Sequence, residues 1–281
     1  MTYLFSEKGM RQLDRIVRPG LLCAFDFDGT LSPLVPQPDR ARIPFPTRRL
    51  MMELSELAPV AIITGRSLAD IRRRLEFTPD YLVGNHGLEG VPGWERQNTS
   101  YAAQCRAWDS ALHDALEDSE RYGTGIWVEN KTYSLSVHYR LARDHEKAER
   151  DLPALFATLS PSPRIVGGKC VFNLLPRSAP SKGMALDWLI RISAAPGAVY
   201  VGDDLTDEDA FALPHTGLMP IRVGHGQPTA ARFYLIRQYE IIRLLGELTR
   251  RLREKQARRA ATAGRCCIDA VDFPTRPTRR P

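Results

Sequence analysis

Three short apolar runs punctuate the chain, and each one stops at a cluster of polar residues. Leu21 to Phe27 runs into Asp26 and Asp28, Val60 to Ile63 into Thr64-Gly65-Arg66, and Ala198 to Val201 into Gly202-Asp203-Asp204. Short apolar runs bounded in this way predict buried strands. Helical signals follow them. Ser67 is placed as an N-cap, with Asp70 three residues on and Ile71 and Leu75 at helical spacing; Thr206-Asp207-Glu208 gives an acidic helix start that the helix dipole favours. Strands alternating with helices predict an α/β domain with a parallel sheet. Ligands of such sheets bind beyond the carboxyl ends of the strands, so the three polar clusters are expected at one edge.

The spacing changes between about residues 95 and 176. Tyr101, Cys105, Trp108, Leu112, Ala115 and Leu116 recur at helical steps and predict an amphipathic helix. Tyr133, Leu135, Val137 and Tyr139 then alternate with Ser134, Ser136, His138 and Arg140, which predicts a strand with one apolar and one polar face. Ala148, Leu152, Leu155, Phe156 and Leu159 return to helical spacing, although Pro153 should kink or restart that helix. A second hairpin is expected to turn at Gly167-Gly168, with Cys170 to Leu175 as its outgoing strand. This order predicts an α+β cap over residues 95–176, inserted into a Rossmann-like core made of residues 1–94 and 177–249.

With 43% hydrophobic and 26% charged residues in a chain of 281, the composition is that of a globular protein. The net charge of +6 would suggest nucleic acid if it were spread over the fold. Residues 250–281 hold ten Lys or Arg against three Asp or Glu, so this basic, flexible tail carries +7 and the rest of the chain −1. Nucleic acid is therefore not an expected partner of the fold. Five cysteines without a C-x-x-C pair suggest neither a zinc site nor a disulfide framework and fit a reducing cytoplasm. No apolar run approaches the roughly 20 residues of a membrane span, and the first residues lack a secretory pattern, so no membrane partner is expected.

The polar clusters carry the chemistry. In an extended strand Asp26 and Asp28 would share a face while Phe27 points into the core. Two carboxylates so placed need a cation, and Mg²⁺ suits a site of one or two carboxylates plus phosphate oxygens. Asp203 and Asp204 would add oxygens at the same edge. With a cation present, Asp26 can attack phosphorus as a nucleophile, and Asp28 can protonate the leaving oxygen and then take a proton from water. Gly29 lets the backbone come close to a phosphate. Thr64 and Gly65 offer a hydroxyl and backbone N–H groups to the phosphoryl oxygens, and Lys182 offers a positive charge. A lysine in the first turn of a helix opposes the dipole, which favours a functional reason for Lys182.

Asp26-Phe27-Asp28-Gly29-Thr30, Thr64-Gly65-Arg66, Lys182 and Gly202-Asp203-Asp204-Leu205-Thr206-Asp207-Glu208 resemble the motifs of the haloacid dehalogenase superfamily. Within it the chain is similar to the trehalose-6-phosphate phosphatase family from about residue 20 to about residue 235. Gly84-Asn85-His86-Gly87-Leu88-Glu89, Glu129-Asn130-Lys131 and His138-Tyr139-Arg140 match further family patterns, and Gly168-Lys169-Cys170-Val171 leads into Lys182 at the family's spacing. The resemblance implies a cap closing over a disaccharide phosphate, with Arg66, His86, Glu89, Glu129, Lys131, His138, Arg140 and residue 173 as substrate contacts. It also implies Mg²⁺ held by the Asp26 side chain, the Asp28 backbone carbonyl and Asp203, with Asp204 and Asp207 as supporting acids. Where the family places Glu in Val-Val-Glu-x-x-Pro, this chain has Asn173, and a neutral amide weakens a carboxylate's grip on sugar hydroxyls.

The expected activity is thus hydrolysis of trehalose 6-phosphate. Asn173 motivates the alternative of another sugar or glycoside phosphate, and the basic tail motivates a binding or regulatory protein.

Overall fold

The computed structural model describes residues 1–94, 98–226 and 228–268. The chain begins with β1 (Thr2–Tyr3), α1 (Glu7–Ile16), β2 (Leu22–Phe25), α2 (Phe45–Ser55), β3 (Val60–Ile63), α3 (Leu68–Arg72) and β4 (Tyr81–Val83). A smaller unit follows, with α4 (Asn98–Leu116), α5 (Ser119–Tyr122), β5 (Trp127–Asn130), β6 (Leu135–His138), α6 (His145–Phe156), β7 (Arg164–Gly168) and β8 (Val171–Leu175). The last stretch holds α7 (Lys182–Ile192), β9 (Ala198–Gly202), α8 (Glu208–Phe211), β10 (Leu218–Val223), β11 (Phe233–Leu235) and α9 (Ile241–Ile268).

Seven strands pair in the order β1-β11-β10-β9-β2-β3-β4, every neighbour parallel. This is the α/β core expected from the alternation of strands and helices. β2, β3 and β9 are buried along their whole length because helices cover both faces of the sheet. Cys23 and Phe25 point to one layer with Met51, Leu54, Leu244 and Leu248, while Leu22 and Ala24 point to the other with Leu186, Leu189 and Phe211. β2 lies between β3 and β9, so the chain leaves it toward opposite sides of the sheet, and the crevice at its carboxyl end is where such sheets bind ligands.

The smaller unit forms an antiparallel sheet in the order β5-β6-β8-β7. Leu135, Val137 and Leu174 on one face pack against Trp108 and Leu112 of α4 and Leu152 and Phe156 of α6. Alternation sends Ser136, His138 and Asn173 to the opposite face, which lies over the core sheet's crevice. Leu88, Tyr101, Leu175 and Ala179 form a small apolar cluster where the two units meet.

Three expectations are corrected. α6 runs through Pro153 without restarting, because only its own N–H is lost while Ala157 N–H still donates to Pro153 O at 3.1 Å. The second hairpin turns at Lys169-Cys170, two positions later than the glycines, since β7 includes Gly167 and Gly168. The basic segment does not detach at residue 250: α9 continues to Ile268, with Leu252 fully buried, Arg253 paired with Glu53 at 3.1 Å and Gln256 donating to Leu57 O at 2.9 Å. A polar, basic composition hides this because only one stripe of a surface helix needs to be apolar. Residues 269–281 and the side chains of Cys266 and Cys267 lie outside what is described.

Candidate active site

Lys182 opens α7, capped by Ser181, whose hydroxyl accepts from Met184 N. Its Nζ, almost fully buried, donates to Asp26 Oδ1 at 2.7 Å and to Asp207 Oδ1 at 2.8 Å. Asp26 follows β2, and Asp207 ends the tight turn after β9, so the cluster straddles the carboxyl ends of adjacent strands. Asp207 is saturated with donors: Lys182 and the Tyr200 hydroxyl (2.6 Å) on Oδ1, and the backbone N–H groups of Asp203 and Asp204 (3.0 Å each) on Oδ2.

Burial opposes the charge on Lys182, yet the Asp207 and Asp26 carboxylates outweigh it and hold the ammonium above the usual lysine range. The acids sense the reverse. Burial drives Asp26 well above the usual carboxylate range, with Asp207 and Asp203 adding to it against the pull of Lys182. Burial likewise pushes Asp203 up to about 6 in spite of Lys169. One lysine is therefore not enough positive charge for this cluster.

Oxygens of Asp26, Asp203 and Asp207 lie within 4.8 Å of one another. The donor set fits a hard divalent cation such as Mg²⁺, which takes carboxylate oxygens and would relieve the crowding that raises Asp26 and Asp203. Asp26 and Asp203 are the residues suited to hold it. Asp207, with all its partners already donors, orients Lys182 and the backbone after β9.

The pairing of Asp26 with Asp28 differs from the strand-based expectation. β2 ends at Phe25 and the chain turns, with Thr30 N–H and Ser32 N–H both directed to Phe27 O. Asp28 is consequently displaced toward Arg66, which grips both its oxygens at 2.7 Å through Nε and Nη2. Arg66 also donates to Asp70 at 2.6 Å. The expected substrate contact at Arg66 is, in this structure, a clamp on Asp28. Gly29 is required for a reason other than phosphate approach: its φ is +81°, and a Cβ there would fall 2.2 Å from Asp203 Oδ2.

The second strand-end cluster frames the site. Thr64 is fully buried, with its hydroxyl accepting from Arg66 N–H at 3.2 Å. Gly65 accepts from Lys131 Nζ at 3.3 Å through its carbonyl, and its α-carbon is so close to the His86 ring that a Cβ would sit 2.4 Å from Cε1. Glu89 accepts from Leu68 N–H at 2.8 Å and from the Asn85 amide, so it braces α3 and the His86 turn.

From the smaller sheet, His138 Nε2 lies 3.0 Å from Glu129 Oε2, and Trp127 stacks on the His138 ring with centroids 4.0 Å apart. Burial would raise Glu129, but His138 and then Lys131 hold it below its ordinary value. Asn173 accepts from the Ser136 hydroxyl at 2.7 Å. Arg140 donates to Lys169 O at 3.0 Å and supports the hairpin tip. Lys169, at that tip, reaches Asp203 Oδ2 at 2.9 Å.

Residues 24–237 match the family model described as trehalose-phosphatase. This chain belongs to the trehalose-phosphatase family. Relatives include the trehalose-phosphate phosphatase of Mycobacterium tuberculosis (strain ATCC 25618 / H37Rv), 32% identical over 247 residues, which covers 83% of this chain and 62% of the relative. An uncharacterized glycosyl hydrolase of the same strain is 36% identical over 264 residues, covering 86% of this chain and 19% of that protein. The chain thus spans under two thirds of the length of these curated relatives. The C-terminal domain of C. albicans trehalose-6-phosphate phosphatase has the same fold, with a TM-score of 0.71 at 24% identity, over 85% of this chain and 96% of that one.

The trehalose-phosphatase motifs therefore converge on one crevice. Asp26, Lys182, Asp203 and Asp207 form its buried floor, Thr64 and Gly65 one edge, and Glu129, Lys131, His138 and Asn173 the facing sheet. Asp28 is brought to Arg66, while Asp204 contributes its backbone N–H to Asp207. Lys169, Tyr200 and Asp70 carry no site role in the sequence reading, although Asp70 falls in the first turn after Ser67 and Lys169 in a segment that matches the family. Tyr200 alternates with Val199 and Val201 inside an apolar strand and carried no polar signal. Lys169 follows two glycines at a hairpin tip, a composition that reads as a turn.

Proposed function

We propose that the chain is a cytoplasmic, Mg²⁺-dependent phosphatase that hydrolyses trehalose 6-phosphate through an aspartyl-phosphate on Asp26. The observation that carries this reading is the buried contact of Lys182 with Asp26 at the carboxyl end of the central strand. A carboxylate held beside an ammonium, with Asp203 close by, is a nucleophile placed where phosphoryl charge can be neutralised. Free Cys23, Cys105 and Cys170 support the reducing setting.

In this reading an Asp26 oxygen forms a bond to phosphorus as the bond from phosphorus to the sugar oxygen breaks. The sugar oxygen takes a proton from Asp28. Water then attacks the aspartyl-phosphate, giving its proton to Asp28, and the bond from Asp26 to phosphorus breaks to release phosphate. Lys182 and the Thr64 hydroxyl hold the equatorial oxygens. A bound Mg²⁺ on Asp26 and Asp203 supplies charge neutralisation at the phosphoryl group. Arg66 occupies both Asp28 oxygens, so Asp28 serves as the proton carrier when one of those bonds opens.

A second reading, a phosphatase for another sugar or glycoside phosphate, is favoured by Asn173, whose neutral amide is engaged by Ser136. Phosphate release from a panel of sugar phosphates separates the two. Preference for trehalose 6-phosphate with loss of turnover in Asp26→Asn, on the order of a thousandfold or more, is the expected result. Turnover of trehalose 6-phosphate no better than glucose 6-phosphate would overturn the substrate, and substantial residual activity in Asp26→Asn would overturn the nucleophile.

A further inference from the structure

Arg66 is held on two sides. Its Nε and Nη2 grip Asp28, Nη2 also donates to Pro38 O at 2.9 Å, and Nη1 donates to Asp70 Oδ2 at 2.6 Å. Asp70 sits in the first turn of α3 and is gripped in turn by Arg74, four residues on. Arg74 Nε meets Asp70 Oδ2 at 2.8 Å and Nη2 meets Oδ1 at 2.6 Å, while Nη1 donates to Asp39 O at 2.8 Å. Arg74 is only 6% exposed. Two carboxylates and two guanidiniums thus alternate in one line, Asp28-Arg66-Asp70-Arg74, which runs from the proton carrier of the proposed reaction to a buried anchor beneath residues 38–41. Stabilising α3 would need only part of this. An acid in the first turn already suits the helix dipole, and Asp70 with Arg74 is already an i,i+4 pair. The bond to Arg66 is additional, and it takes the guanidinium nitrogen that Asp28 leaves free. Because the guanidinium is a planar fork, fixing Nη1 on Asp70 and Nη2 on Pro38 O also fixes the edge that it offers to Asp28.

We infer that Asp70 is a positioning residue for the reaction: it keeps Arg66 in place while Asp28 opens one of its two bonds to Arg66 and passes a proton to the leaving oxygen. The inference rests on the phosphatase reading, which gives Asp28 that task. With Asp70 present, the guanidinium stays anchored at Nη1 when one Asp28 oxygen is released, and the remaining bond still aims the carboxyl. Without it, Arg66 follows Asp28 as a flexible side chain, and the carboxyl loses its aim. A misplacement of about 1 Å at a reacting group costs on the order of a hundredfold in rate. Asp70 acts through Arg66: its carboxylate pairs with Arg66, Arg74 and, at 3.6 Å, Arg73. Its loss should therefore spare substrate binding and impair proton transfer.

The test uses the different needs of two leaving groups. A sugar oxygen must be protonated as it departs, whereas p-nitrophenolate leaves without a proton. Wild type and Asp70→Asn are compared on p-nitrophenyl phosphate and on whichever sugar phosphate of the panel wild type turns over best, at a temperature where circular dichroism shows both proteins folded. For the sugar phosphate, kcat is expected to fall about tenfold or more with KM unchanged to within about twofold, the pattern of an interaction made in the transition state. For p-nitrophenyl phosphate, kcat/KM, which reports the steps up to departure of the leaving group, is expected to fall less than about threefold. Equal losses on the two substrates, a loss confined to KM, or no loss at all would overturn the positioning role. Where wild type does not turn over p-nitrophenyl phosphate, the split between kcat and KM on the sugar phosphate decides alone. Should Asp70→Asn fail to fold, Asp70→Glu, which moves the carboxylate by one methylene, replaces it under the same criterion. A wild type that releases phosphate from no member of the panel overturns the phosphatase reading itself and removes this role with it.

Discussion

Lys169, at the tip of the β7–β8 hairpin, places its ammonium 2.9 Å from Asp203 Oδ2 on the floor of the core crevice. The contact ties the inserted sheet to the residue suited to hold the cation. Lys169 is half-exposed, so solvent screens the pair and its contribution to folding is at most about 1 kcal/mol. Lys169→Met should leave the thermal midpoint nearly unchanged while raising KM for the sugar phosphate severalfold, as read by steady-state kinetics. An unchanged KM would show that the contact does not bear on substrate binding.

Asp207 gives a sharper stability prediction. All four of its partners are donors, so in Asp207→Asn the amide nitrogen faces donors whichever way it is flipped. The expected cost is about 3–5 kcal/mol, the range for breaking a buried ion pair, and close to that of Asp207→Ala. Urea unfolding with unchanged m-value checks it; a variant as stable as wild type would contradict the donor count.

Acid stability should depend on Asp70. Burial would raise its carboxyl, but hydrogen bonds from Arg74 and Arg66 hold it down to about 2. A depressed carboxylate adds stability above its unfolded value near 4, and that stability is lost as pH falls toward 2. The shift corresponds to about 2 kcal/mol. Asp70→Asn should therefore be less stable than wild type at pH 7 by roughly that amount, with the two converging between about pH 4 and pH 2 in chemical denaturation series. A gap that stays constant across that window would refute the linkage.

Deleting residues 250–281 should destabilise the core, contrary to what an appended tail would do. It removes fully buried Leu252, buried Arg251 and the bonds from Arg253 and Gln256 to α2 and its following turn. Loss of the Leu252 side chain alone is worth about 2–5 kcal/mol. Differential scanning calorimetry should show a lower midpoint by several degrees, and an unchanged midpoint would restore the appendage view.

Much of the fold was legible because hydrophobic period is a local property. The runs ending at Phe27, Ile63 and Val201 gave three adjacent central strands, and the period-two stretch from Tyr133 gave β6. The parts that were not legible depend on where the chain bends. Asp26 and Asp28 look like a facing pair only if the strand continues. The turn that begins at Phe27 sends Asp28 to Arg66 and leaves Asp26 with Lys182, 156 positions away in sequence.

The residue types and spacing alone determined an α/β core with an inserted sheet, a cluster of acids with one lysine at the strand ends, and membership motifs of the trehalose-phosphatase family. Tertiary structure decided which acid does what. Burial raises Asp26 and Asp203, saturation with donors makes Asp207 an organiser, and a left-handed turn buries His86 beside Arg164 with its ring nitrogens unpaired. Charge, desolvation and donor count are properties of neighbours in space, and those neighbours come from segments that sequence order keeps far apart.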